Sequence, residues 1–296
     1  MIGKPANSIS DDNAPQLGYP QTKLNKIRVY KQRAHYDYQT VHSITDSTLV
    51  SQVSFIARDE DGEAIPMAMP LTAVLGRYGD AEAEVSDGEL ERQQKENMTN
   101  GPMDLYLHGN VAALLYKAIR ESESGHIRVC ISSTKVDGLA LFPTPNGHSL
   151  NYRSATIHGT ASIVPDTDVR KKRFAMRLLT NHMYHGRWET TYPVLHSAVD
   201  IVKVIEVKVL SASAKIRAAN IGPFDPATVE EEEKQRREEQ GTGVWSGVVP
   251  LYEVLGQPAA SNVEGPGGEP RGLKAVEEWR QERNRREKEY AERVAR

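Results

Sequence analysis

One cysteine, Cys130, stands in a chain of 296 residues, so no intramolecular disulfide can form and the composition suits a reducing compartment. No apolar run approaches the roughly 20 residues that a membrane-spanning helix requires. The opening segment, MIGKPANSISDDNAPQLGYP, lacks the apolar core of a signal peptide. Neither charge sign dominates: 37 basic side chains face 40 acidic ones, for a formal charge of −3. No global field therefore calls for nucleic acid or an anionic membrane, and an anionic ligand needs a local site. The familiar nucleotide and nucleophile signatures are missing as well, with no P-loop, no GxGxxG after a strand and no GxSxG elbow. These absences lead to the expectation of a soluble cytoplasmic protein that binds neither nucleic acid nor membrane.

What is present reads as strands with helices set between them. A short helix is expected around 36–44, followed by LVSQVSFIA (49–57) and AIPMAMPLTAVL (64–75), which Asp61-Gly62 joins as a hairpin. Pro66 and Pro70 lack amide donors, which places the second strand at an edge and leaves backbone groups free. Residues 76–102 are polar and acidic and read as an inserted loop. MDLYLHGN is a short strand. VAALLYKAIRES is a helix with Asn110 at its N-cap and Val111, Leu114, Leu115, Ala118 and Ile119 on one face. HIRVCISST, DGLALF and SLNYRSATIHGTASIV follow as a meander. DTDVRKKRFAMRLLTNHMYHG is an amphipathic helix that stops at Gly186, and IVKVIEVKVL is a strand with one wet face. The pattern is an antiparallel barrel-like core in an α+β, mainly β chain.

The ends differ in character. Residues 1–29 are read as an arm, either flexible or draped over a neighbour, 30–257 as the barrel domain, and 258–296 as a linker followed by a very charged, peripheral helix. Deleting the linker and that helix is expected to leave a folded core. Cys130, within an interior strand, is expected to be a structural thiol. His182 and His185 have the spacing of two metal ligands on one helical face but no evident third ligand, and are read as a solvated helix end.

Residues 147–164, GHSLNYRSATIHGTASIV, raise a sharper question. A strand opens on His148, Asn151, Tyr152, Arg153 and Ser154 before it becomes apolar. Such an end is either a hairpin mouth in water or a grip on a polar ligand. The passage from LYLHGN into a helix is a second candidate, because unpaired amides at a helix start suit an anion. His108, just before it, is either a structural histidine or a ligand-facing donor.

YLHGN, VDGLAL, HSLNYRSATIHGTA, GRW, SAKIR and WSGVVPL occur in the order and at roughly the spacing of one known family. Over about residues 30–257 the chain resembles the flavin-nucleotide-binding, nitroimidazole-resistance-like branch of the pyridoxamine 5′-phosphate oxidase-like split-barrel family. The resemblance implies a six-stranded antiparallel split β-barrel with inserted helices, a homodimer, and FMN in clefts at its interface. It implies further that Met67, Ala68, Met69, Pro70 and Leu71 line the flavin, and that Leu107 and His108 sit near its ribityl chain or ring. Tyr152, Arg153 and Ser154 would meet its polar edge, and Trp245 with Pro250 would come from the partner subunit. Relatives hold the phosphate with a hydroxyl and a basic residue in the first turns of the helix after LHG. This chain has Ala112, Ala113 and Leu114 there, leaving helix amides, Asn110, Lys117 or Arg153 to compensate. GRWETTYPV also lacks the second arginine and the acidic residue that follow GRW in close relatives.

Three functions follow from this pattern. The first is an FMN-dependent oxidoreductase for a small organic substrate, with His108 as a donor or acid and Arg153 stabilising charge on the reduced ring. The second is a flavin-free enzyme for acid/base isomerisation or cyclisation that uses His108 and Tyr152. The third is a noncatalytic ligand- or haem-binding dimer.

Overall fold

The structure, a computed structural model, describes residues 18–79, 92, 96–108, 113–222, 230–239, 244–259 and 273–296. Helix α1 (Tyr38–Ser47) starts where the Asp37 carboxylate accepts from the Thr40 amide at 2.8 Å, and its Val41 and Ile44 are buried. Strand β2 (Ser51–Arg58) alternates as its sequence does, with Val53, Phe55 and Ala57 turned inward. The turn to β3 (Ala64–Leu71) uses Gly62 at φ 83°, a left-handed conformation that glycine adopts without steric cost.

β3 and β4 (Ala73–Gly76) are separated by Thr72 alone and are two legs of one bent strand. One leg pairs with β2 and the other with β5 (Asp104–His108). The remaining members of the main path are β6 (His126–Leu141), β7 (Ser149–Ile163) and β8 (Val204–Arg217). Among the described residues the path runs β3-β2-β6-β7-β8-β5-β4, every pairing antiparallel, with β1 (Ala34–His35) and β9 (Gly247–Pro250) attached to β8 and β6. If β3 and β4 are taken as one bent strand, the path is a six-stranded split barrel. Its ends are joined by the chain at Thr72 and not by a hydrogen-bonded ladder.

Helices α1 and α2 (Leu114–Glu121) fill the barrel. Val41, Ile44, Leu115 and Ile119 pack with Val53, Phe55, Val129, Ile131, Ala155 and Ile157. A second cluster lies on the other face of β4, β5 and β8, where α3 (Val169–Met183) brings Phe174, Ala175 and Leu179 onto Val74, Tyr106 and Val204. The short helices α4 (Arg187–Thr190) and α5 (His196–Ile201) lead into β8, and α6 (Glu231–Glu239) and α7 (Leu273–Val294) follow it.

Several expectations change. HIRVCISST and DGLALF are not two strands but one, β6, because Asp137-Gly138 forms a register shift within the ladder and not a turn. Helix α2 begins at Leu114 with Ala113 at the cap position and no side-chain cap, so Asn110 is not its N-cap; Asn110 itself lies outside the described residues. Of the segment 1–29, the described part from Gly18 onward lies on the barrel: Tyr19 and Asn25 are buried, and Asn25 donates to the Ala212 carbonyl at 2.8 Å. Most of the 76–102 insertion lies outside the described residues, although 96–100 are helical.

Candidate functional site

The proposed ligand-binding residues fall into two groups. The first gathers at the β3–β4 bend. Met67, Met69 and Leu71 are half-buried against the core, while Ala68 and Pro70 are exposed. Two prolines at alternate positions fit this ladder only if their nitrogens face away from β2, since neither can donate. Residues of the same parity share that direction, so the Ala68 amide is the donor between them on the open edge. Ala73 pairs with Leu107, which carries the bend directly to His108 at the end of β5. His108 is exposed, whereas the Leu107 side chain is fully buried in the core. Helix α2 starts close by in the chain, and its uncapped first turn leaves amides without helical acceptors. Lys117 lies on the same helix, in a loose and exposed ion pair with Glu121 at 3.8 Å.

The second group sits where β7 begins. The inward face of β6 and β7 carries Val129, Ile131, Ala155 and Ile157, and turns polar at Lys135 and Arg153, which stand directly opposite each other. Arg153 grips Asp137, the extra residue of the bulge, with Nε at 3.1 and 3.2 Å and Nη2 at 3.0 Å. Helix α7 lies over both cations. Glu287 Oε2 is 2.6 Å from Lys135 Nζ and 3.5 Å from Arg153 Nη2, and the Tyr290 ring is stacked 3.8 Å from the guanidinium carbon. Burial works against the charged form of Arg153, but the bonds and charge of Asp137 outweigh it and raise the pKa. Burial pushes the Asp137 carboxyl up, and Arg153 opposes that shift.

Asn151, also buried, donates to the carbonyls of Ala219 and Val294 at 3.0 and 2.9 Å. The polar opening of β7 therefore faces the chain's own C-terminal helix. Tyr152 lies half-buried on the other face, and Ser154 Oγ donates to the Lys215 carbonyl at 3.3 Å.

The two groups are not one constellation. His108 pairs with Val204 and Tyr152 with Arg217, the two ends of β8, so this acid/base pair is not assembled within one chain. The register line Met69–Val53–Ile131–Ile157 sets β3 three ladder spacings from β7, roughly 14 Å. Trp245 is 63 % exposed at the entry to β9. Val249, within β9, belongs to a lateral apolar row across three strands, Leu150–Leu139–Val249, each about two-fifths exposed.

Lys135, Asp137, Glu287 and Tyr290 were not legible as a site from sequence. The available signal was parity: Lys135 continues the inward series Val129, Ile131, Ser133. Cys130 is half-buried opposite His158, and burial raises its thiol pKa, as befits an inert thiol. His182 is held by the Thr48 carbonyl at 2.9 Å, and no group of three metal-capable side chains occurs among the described residues.

The family model described as pyridoxamine 5′-phosphate oxidase matches residues 37–216, more than half of the chain. The chain belongs to this family. As a pyridoxamine 5′-phosphate oxidase family member it shares its fold with two solved structures. One is the flavocytochrome Anf3 from Azotobacter vinelandii, with 23 % identity, 86 % of this chain and 96 % of that chain covered, and a TM-score of 0.57. The other is the FAD and heme binding protein from Mycobacterium smegmatis, with 20 % identity, coverage of 82 % and 96 %, and a TM-score of 0.56. No curated protein matches significantly. The family segment begins at the cap of α1 and ends one residue short of the end of β8. Strand β9 and helix α7, with Glu287 and Tyr290, lie beyond it.

Proposed function

We propose that this family member binds a flavin nucleotide, FMN, at the β3–β4 bend and acts as an oxidoreductase on a small organic substrate. The observation that carries the reading is the edge of β3, where half-buried Met67, Met69 and Leu71 form an apolar wall beside the outward amide of Ala68, set between two prolines. Such an edge fits a planar ring that needs apolar contact on its face and a donor at its rim. The uncapped start of α2 suits a phosphate through main-chain amides, although Ala113 and Leu114 bring neither hydroxyl nor charge. Lys117 on that helix is held only loosely, by an exposed ion pair with Glu121. The descriptions of the two relatives, a flavocytochrome and an FAD- and haem-binding protein, support the flavin class.

A flavin bound there would supply the hydride or electron chemistry. The chain's own work would be to hold and orient. The β3 edge would fix the ring plane, and His108, exposed at the end of β5, would donate a proton to substrate. Tyr152 and Trp245 would reach the same cleft from a second copy in a homodimer. The exposed apolar row Leu150–Leu139–Val249 and the exposed Trp245 support such an assembly, since contiguous apolar surface on a lone chain marks a contact. A flavin-free acid/base enzyme built on His108 and Tyr152 would likewise need two copies, because one protomer holds them apart.

The deciding experiment is the absorption spectrum of the purified protein, with identification of any released chromophore and an FMN titration of the colourless protein. An isoalloxazine spectrum or saturable FMN binding supports the proposal. A Soret band without flavin supports the haem-binding reading, which the relatives' descriptions also favour. No binding at millimolar FMN rejects the flavin reading.

A further inference from the structure

Lys135 and Arg153 are like charges directly opposite on neighbouring strands, an arrangement that repels unless anions lie between or beside them. Both belong to the barrel, and both side chains are largely buried, at 6 % and 13 % exposure. The anion that bridges them comes from outside the barrel: a single oxygen of Glu287 faces Lys135 at 2.6 Å and Arg153 at 3.5 Å. One turn further along α7, Tyr290 lays its ring on the guanidinium. The helix thus presents a carboxylate and a planar ring to two fixed cations.

Its own anchorage is mostly polar. Ala291 is the one α7 residue that is buried, and Trp279 meets Tyr184 edge-on at 5.0 Å. The rest is held by bonds such as those of Arg280 and Asn284 to the Leu255 carbonyl. Without α7, Arg153 would keep Asp137, whereas among the described residues Lys135 would keep Glu253 alone as an ion-pair partner, at 3.4 Å. The ammonium would then be short of a close counter-ion, and a guanidinium face would be open.

We propose that the Lys135–Arg153 end of β6 and β7 is a binding site for a small planar aromatic carboxylate, and that α7 caps it by placing Glu287 and Tyr290 where that ligand's acid and ring would lie. The ligand and the helix are alternative occupants, so the affinity of the whole chain is reduced by the fraction of time the cap is closed. The site lies some three strand spacings from the β3 edge and does not depend on flavin binding there.

The test uses the full chain and 4-hydroxybenzoate, with acetate as the acid without a ring and phenol as the ring without an acid. Calorimetric titration should show 4-hydroxybenzoate binding at least tenfold more tightly to Glu287→Gln/Tyr290→Ala than to the wild type, with no comparable binding of acetate or phenol. Adding Arg153→Lys, which keeps the charge and loses the flat stacking face, should remove that gain. Equal affinity in wild type and double variant overturns the proposal, and so does acetate binding as tightly as 4-hydroxybenzoate. Should the variants fail to fold, the wild type decides: saturating 4-hydroxybenzoate should accelerate tryptic cleavage within residues 273–296, and an unchanged rate overturns the cap.

Discussion

The Tyr19 hydroxyl lies 2.7 Å from Nε2 of His42, inside the protein, and Nδ1 of the same ring lies 3.0 Å from the Met98 carbonyl. A carbonyl only accepts, so Nδ1 carries the proton and Nε2 accepts from the tyrosine. Neutral His42 is thus fully bonded, and it ties α1, the N-terminal segment and the helical residues 96–100 of the insertion into one joint.

Acid should loosen that joint. Burial lowers the pKa of His42 from 6.5 to about 4. The unfolded chain therefore binds the proton first, and stability that is complete above the unfolded value is lost as pH falls from about 6.5 toward 4, by roughly 3 kcal/mol in the limit. Urea unfolding at a series of pH values should show this slope in the wild type and a flatter one in His42→Gln. Parallel curves would place the acid sensitivity elsewhere.

Removing only the tyrosine oxygen should also be costly. Tyr19→Phe leaves Nε2 of a buried imidazole without its donor, a loss of about 1–3 kcal/mol. Denaturant titration at neutral pH checks this, and an effect below about 0.5 kcal/mol would mean that water replaces the hydroxyl.

Gly159 sits at the register shift of β7 against β8, where a Cβ would come within 2.5 Å of Val207 Cγ1 and 2.7 Å of the Lys208 carbonyl oxygen. The backbone oxygen cannot step aside as a side chain can. Gly159→Ala should cost on the order of 1–3 kcal/mol through overpacking, read as a fall in melting temperature. A neutral substitution would show that the bulge can widen.

Ala113 occupies the N-cap of α2 without a capping side chain. Ala113→Ser should stabilise the protein by about 0.5–2 kcal/mol with or without cofactor, and FMN should bind more tightly if its phosphate meets this turn. Thermal melts with and without FMN separate the two effects: an equal gain in both supports capping alone and removes α2 from the flavin site.

The barrel was largely readable from its alternation and turns. Asp61-Gly62, the prolines of β3 and the apolar face of α2 all pointed to elements that exist. Where reading failed, a local signal had a non-local meaning. Asp137-Gly138 has the composition of a turn but is a bulge, because β6 is continued by its pairing with β7 and β9. Strand β9 is only Gly247–Pro250, and its partner lies more than a hundred residues earlier. Charged residues such as Lys135 and Arg153 suggest solvent until the helix that covers them is in view.

Thr72 joins the two ends of the strand path, yet that join alone does not make a barrel. β3-β2-β6-β7 is one ladder and β5-β4 is another, and only β8 hydrogen-bonds to both. On the ribosome, β8 is the last long strand to emerge. Until Val204–Arg217 is available, the nascent chain holds two half-sheets with unpaired rims at β7 and β5, the kind of edge that recruits other chains. Closure is thus a late, long-range event, and chains that stop before β8 would be released with both rims open.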